Sequence, residues 1–226
     1  MDWFFHEWHG HARDEYKDSE VGNYPIIVIE GPDGAGKSTV GEMLAEHLGG
    51  EYLTVIPDVM KFDSKFIQEE LSPLPQLLFH IVGLLHVSDQ ARRISRGKPV
   101  VIHRYLSSLL IKHHLRHQIS VKQAFSIIKP LIQHVVFPTV SIYLYADTKE
   151  LSRRLSSRPT LTYDDARVKL EEKYADQMTQ LFLQFSEFDP RGRSINNTSM
   201  TSDSCVVEII HYLNERFTKC GLPWRL

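Results

Sequence analysis

The sequence predicts a three-layer α/β/α fold on a central five-stranded parallel sheet, and three observations carry that expectation. Short apolar runs alternate with helical patterns along most of the 226 residues. One run, Pro99-Val100-Val101-Ile102-His103, is apolar without interruption up to its last residue, as a strand covered on both faces must be. The first run, Pro25-Ile26-Ile27-Val28-Ile29-Glu30, feeds directly into a glycine-rich turn and then a helical pattern.

Taken in order, residues 1–24 mix aromatic and charged residues in no clean period. They are expected to form an N-terminal extension outside the core fold, with residues 25–226 as one domain. Trp3, Phe4, Phe5 and Trp8 are expected to pack on that domain or on a neighbouring subunit, because four large aromatics do not suit a disordered tail. After the first strand, Val40, Met43, Leu44 and Leu48 mark one face of a helix from Lys37 to Leu48, and Gly49-Gly50 supplies its left-handed stop. A second strand follows over Tyr52 to Ile56, with Pro57 and Asp58 just past it, where an open parallel sheet presents ligand-contacting residues. Asp58 is therefore a candidate substrate-binding residue.

A short helix is predicted near Phe62 to Leu71. A long one opens at Pro73 and Pro75, runs through Leu77, Ile81, Leu84 and Val87, and closes at Arg96-Gly97. Beyond the strand ending at His103 come helices over Leu106 to His117 and Val121 to Val136, the second interrupted at Pro130. The run Thr139 to Tyr145 reads as the next strand. Asp147-Thr148 begins an arginine-rich helix with Arg153, Arg154 and Arg158. Pro159 to Asp164 breaks the pattern and is expected to be a mobile lid, about residues 153–165. A long amphipathic helix over about Asp165 to Phe185, an edge strand near Arg193 to Asn196 and a last helix capped by Ser202 or Asp203 complete the chain.

Gly31-Pro32-Asp33-Gly34-Ala35-Gly36-Lys37-Ser38-Thr39 matches GxxxxGK[ST] with a strand before it and a helix after it, the context in which this pattern cradles phosphate. Glycines let successive backbone N–H groups converge, and the helix N-terminus adds its dipole to the same spot. Lys37 is expected to reach the β- and γ-phosphates of a nucleoside triphosphate, and Ser38 to hold Mg²⁺.

Bulk properties limit the alternatives. With 26 Lys and Arg against 28 Asp and Glu there is no electrostatic case for a nucleic-acid or membrane partner, and a small, locally neutralised ligand fits better. Two cysteines, Cys205 and Cys220, make neither a disulfide framework nor a zinc pattern, which suits a reducing, cytoplasmic setting. No run approaches a membrane span, and the first residues lack a signal-peptide layout.

With its elements in this order, the chain from about Pro25 to Phe217 resembles the thymidylate kinase-like branch of the P-loop kinases. Ile29 to Thr39 looks like that family's EGxDGxGKST, and Val101-Ile102-His103-Arg104-Tyr105 falls on its strand ending in Asp-Arg-Tyr or Asp-Arg-Phe. Tyr143 to Asp147 with Arg153-Arg154 is similar to its strand and lid-base helix, and Ile195-Asn196-Asn197 to the last strand beside the adenine. The resemblance implies a P-loop kinase fold and γ-phosphoryl transfer from ATP, with Mg²⁺, to a nucleotide, nucleoside or nucleoside-like acceptor. It also implies a homodimer. Gly31, Asp33, Gly34, Ala35, Gly36, Lys37, Ser38, Thr39 and Asn197 would hold ATP, and Ser38 with Asp147 the metal. Arg104 and Tyr105 fall on the acceptor side, where Arg104 can fork two N–H donors onto a phosphate. Arg158, then Arg154, would supply the charge that stabilises the transferring phosphoryl.

Departures from the family pattern are informative. His103 stands where the family has Asp, Tyr145 replaces an acidic position, and Gly83 lies near an expected arginine. A neutral imidazole can accept from a metal-bound water but cannot offset cationic charge, so Mg²⁺ would lean on Ser38, the phosphates and Glu30 or Asp147; His103 reads equally as a packed strand-end residue. Asp33 reads equally as a catalytic residue orienting the acceptor hydroxyl and as a turn residue bonded to nearby backbone. His113 and His117 share a helix face that is expected to be solvated or at an interface. The altered residues also leave room for a different class of protein, an ATP-binding sensor or scaffold without transfer activity.

Overall fold

The computed structural model describes residues 3–7, 24–57 and 66–220. Five strands form one parallel sheet: β1 (Ile26–Glu30), β2 (Glu51–Thr54), β3 (Val100–His103), β4 (Val140–Tyr145) and β5 (Gly192–Asn196), in the order β2-β3-β1-β4-β5. The three central strands are almost wholly buried, which is why their sequences are unbroken apolar runs. Chain order reverses at β1, whose neighbours are β3 and β4. In an open parallel sheet the crevice beyond the strand C-termini at such a point is where ligands bind.

Helices cover both faces in the expected three-layer arrangement. They are α1 (residues 3–7), α2 (Lys37–His47), α3 (Pro73–Ile94), α4 (Leu106–His117), α5 (Val121–Ile128), α6 (Thr148–Ser156), α7 (Tyr163–Leu170), α8 (Glu172–Phe188) and α9 (Ser202–Cys220). Helix α2 packs on β3 and α9, while α4 joins α3, α5 and α8.

Phe4 and Phe5 pack on the domain, as expected, and do so inside its core: the Phe4 ring sits 5.0 Å from Phe125 of α5 and 5.2 Å from Phe185 of α8, while Trp8 lies outside the described residues. The structure corrects the sequence reading in three places. Strand β2 is set one residue earlier and stops at Thr54. The helix expected to run to Val136 ends at Ile128 and continues only as a 3₁₀ turn over Lys129–His134, since Pro130 cannot donate to a helical ladder. The single long helix expected from about Asp165 is two, α7 and α8, parted at Glu171, whose backbone is extended (φ −115°, ψ 91°). No glycine or proline marks that break; Arg167 holds it with a two-pronged bond to the Glu171 carboxylate at 3.0 Å.

Candidate active site

The phosphate loop leaves β1 at Gly31, whose φ of 138° and closeness to β4 both exclude a side chain: a Cβ there would lie 2.0 Å from the Leu144 carbonyl oxygen. Gly34, Ala35 and Gly36 complete the turn, and Gly36 (φ 82°) is the N-cap of α2. Lys37 is 4% exposed and folds back to donate to the Pro32 carbonyl at 2.6 Å. Burial, then the Arg104 guanidinium, pushes its ammonium well below lysine's ordinary value, so an anion at this spot would meet an under-neutralised cation. Ser38 is half-buried at the rim of the adjoining cavity, and Thr39 is exposed.

Asn197 lies beneath the loop. It is 3% exposed, donates from Nδ2 to the Ala35 carbonyl at 2.8 Å, and accepts from Arg154 Nη1 at 3.1 Å. Arg154 also donates to the Asn197 carbonyl at 2.8 Å and to Glu150 at 2.7 Å. The side chain expected beside a nucleotide therefore supports the loop from within.

Asp33 makes no local turn bond; its carboxylate takes Arg104 Nη2 and lies 2.9 Å from Lys112 Nζ of α4. Burial works to raise the Asp33 pKa, but Arg104 and Lys112 outweigh it and hold the carboxyl well below its usual range. Arg104 adopts a left-handed backbone (φ 67°) just past β3, a conformation costly for a residue with a Cβ, and its amide bonds Ile29 of β1.

A cavity of about 540 Å³ opens beside the loop, walled by Tyr52 and Val55 near β2, by Leu77 and His80 of α3 and by Leu109 and His113 of α4. Lys112 Nζ is 3.0 Å from Asp164 Oδ2 of α7, and Arg116 Nη2 is 2.8 Å from the same oxygen. Glu30, 1% exposed, accepts from the Ser108 amide and hydroxyl at the start of α4, and burial raises its carboxyl above the ordinary value. His103 rings the cavity against Tyr52, centroids 6.4 Å apart and nearly parallel at 16°; burial, with Arg104 second, lowers it to about 2 and keeps it neutral.

Several sequence expectations take a different form here. Tyr105, expected on the acceptor side, turns its hydroxyl into the core, donating to the Val136 carbonyl at 2.7 Å with Ser88 beside it at 2.7 Å. Asp147, expected at the metal, is the N-cap of α6, its carboxylate accepting from the Glu150 amide at 2.8 Å. His113 and His117 face the cavity, not solvent. Arg158 pairs with Asp165 at 2.9 Å within the segment expected to form a lid. Asp58 lies outside the described residues. Sequence reading missed Lys112, Arg116, Asp164 and Gln76. The first two stand four apart on one face of α4, and the Thr162-x-x-Asp165 box that starts α7 was a readable sign of where Asp164 sits.

For the metal, this geometry offers the Ser38 hydroxyl with the exposed Glu42 carboxylate on the same cavity wall, while Asp33 is ion-paired and Glu30 is clasped by Ser108. That donor set suits a hydrated ion held chiefly by phosphate oxygens, which is how Mg²⁺ is commonly bound. Among the described residues no three His, Cys, Asp or Glu side chains gather to hold a metal.

No family model matches the chain. It is 28% identical over 197 residues to a probable thymidylate kinase of Methanococcus vannielii, across 81% of this chain and 92% of that one. Thymidylate kinase from Candida albicans superposes with a TM-score of 0.66 at 20% identity, covering 85% of this chain and 92% of that one. Deoxyadenosine kinase from M. mycoides gives 0.65 at 17% identity over 84% of this chain and 100% of that one. In sequence the chain is similar to a thymidylate kinase across most of its length, and its fold is that of the thymidylate and deoxynucleoside kinases.

Proposed function

We propose that this protein transfers the γ-phosphoryl group of ATP to a nucleoside or nucleotide held in the cavity between α3 and α4. The observation that carries the reading is a junction. The glycine-rich loop and Lys37, which suit a triphosphate, meet the acceptor cavity at one place, where Asp33, Arg104 and Lys112 are joined. Phosphoryl transfer asks for alignment and for positive charge around the equatorial oxygens more than for covalent chemistry. Lys37 and the loop amides bind the phosphates, Ser38 faces the metal, and Arg154 and Arg158 bring charge from the lid side. Bound Mg²⁺ would neutralise phosphate charge. Asp33, at that junction and held ionised by Arg104 and Lys112, would orient the acceptor hydroxyl. A homodimer in the cytoplasm completes the reading, on the family resemblance and the two cysteines.

The test is ADP release from ATP and Mg²⁺ against a panel of nucleosides, nucleoside monophosphates and sugar-like alcohols, with Lys37→Ala as control. Stimulation by one panel member, lost in the variant, is expected. ATP binding with no stimulation by any member would replace this reading with that of a nucleotide sensor.

A further inference from the structure

The far wall of the acceptor cavity is organised by Gln76 of α3, which is 2% exposed. Its amide nitrogen donates to two carbonyls, Gln68 at 3.1 Å and Leu71 at 2.8 Å. Carbonyls only accept, so both amide hydrogens are spent and the orientation of the group is fixed. Gln76 Oε1 is then an acceptor, and it faces Arg116 Nη1 at 3.2 Å and His117 Nε2 at 3.0 Å. His117 must carry its proton on Nε2. The same argument applies one turn along α3, where His80 Nδ1 lies 2.7 Å from the Gln76 main-chain carbonyl and must be the protonated nitrogen.

Burial, the largest influence on each ring, lowers both histidines from their ordinary value, so each is neutral at pH 7 and has one bare nitrogen. Those nitrogens are His80 Nε2 and His117 Nδ1, hydrogen-bond acceptors on rings that line the cavity. Beside them, Arg116 is 10% exposed, and its Nε–H is buried with no partner although its two other nitrogens are engaged.

From these groups we infer that the cavity selects an acceptor whose base carries an amino group next to a ring nitrogen, as cytosine and adenine do, over one with a carbonyl next to an N–H, as in uracil and thymine. The inference rests on the proposed kinase function for its setting, and on Gln76, His80 and His117 for its content. An exocyclic amino group offers its hydrogens to the bare imidazole nitrogens, while Arg116, whose Nε is closed off from the open space, holds Gln76 and Asp164 behind them. A carbonyl in the amino position would set its lone pairs against those of the imidazoles. The rings cannot answer by moving their protons, because the Gln76 side chain and the Gln76 carbonyl need them where they are. His80 and His117 are specificity-determining, and Gln76 is the positioning residue behind them.

The experiment is calorimetric binding of matched pairs to the full chain: deoxycytidine against deoxyuridine, their 5′-monophosphates, and adenosine against inosine. We expect the amino member of at least one pair to bind about tenfold tighter or more, with the gap closing below about threefold in His117→Phe. Equal binding, tighter binding of the carbonyl member, no binding of any member, or a gap unchanged in His117→Phe overturns the inference. A second measurement needs no variant: imidazole ¹⁵N spectra of the wild-type protein should show His117 as the Nε2–H tautomer and His80 as the Nδ1–H tautomer, and the opposite tautomer at either removes the basis of the argument. A clear binding gap without acceptor-stimulated ATP turnover would sink the kinase reading and leave this one standing.

Discussion

Lys112 Nζ of α4 lies 3.0 Å from the carboxylate of Asp164, which is 3% exposed at the start of α7. Because the same ammonium also faces Asp33 of the phosphate loop, one side chain ties that loop, α4 and the start of α7 together. In Lys112→Met both carboxylates keep one arginine each but lose half their neutralisation. We expect a loss of about 1–3 kcal/mol of stability, read as a shift of the denaturant midpoint at constant slope. A midpoint unmoved from wild type would mean that the bridge contributes nothing net, as exposed ion pairs commonly do.

Gly83 of α3 is a contact point, because a Cβ there would stand 2.4 Å from the Val55 carbonyl and 2.8 Å from Ile56 Cδ1. Gly83→Leu must push residues 55 and 56 off the helix, at a cost of about 1–3 kcal/mol. Both residues wall the acceptor cavity, so acceptor KM should rise while ATP affinity stays within error. Equal damage to both substrates would argue for general unfolding.

His103 gives the protein an acid sensitivity of predictable sign. Its folded pKa, lowered by burial and then by Arg104, Lys37 and Lys112 against the opposing Asp33, is about 2, and the unfolded chain has the ordinary 6.5. Between those values the unfolded state binds the extra proton. Stability is therefore fully present above pH 6.5 and falls as pH drops, by about 1 kcal/mol per unit. His113, lowered to about 4 by burial and its neighbours His117 and His80, adds to the fall over a narrower window. Urea unfolding at pH 7 and pH 5 should show a smaller loss in His103→Gln than in wild type; identical losses would refute the assignment.

Arg158 is 40% exposed and, among the described residues, pairs with Asp165. If it serves the transferring phosphoryl, Arg158→Ala should lower kcat by about 10³-fold with little change in ATP KM or melting temperature. A kcat within about threefold of wild type would assign the residue to the lid helix alone.

How much of this was legible in the sequence follows from the range of each interaction. The phosphate loop is a local pattern, and β1, β3 and β4 are buried on both faces, so their residue types announced them. Arg104 could be placed because it directly follows such a strand. Lys112, Arg116 and Asp164 could not be paired, since their partners lie 48 to 79 residues away on other elements and each alone reads as a solvated charge. Gln76 was invisible for a similar reason: its role depends on two carbonyls eight and five residues back and on side chains of α4. The α7–α8 break escaped notice because Glu171 carries no backbone signal, only its pairing with Arg167.

The bond from Asn197 to the Ala35 carbonyl spans 162 residues of chain. During synthesis, the amino-terminal loop that defines nucleotide binding emerges long before the side chain that braces it, and closing so large a loop must await β5. Growing chains that end short of β5 should bind ATP weakly, so that nucleotide affinity appears late and serves as a report that the whole sheet has been assembled.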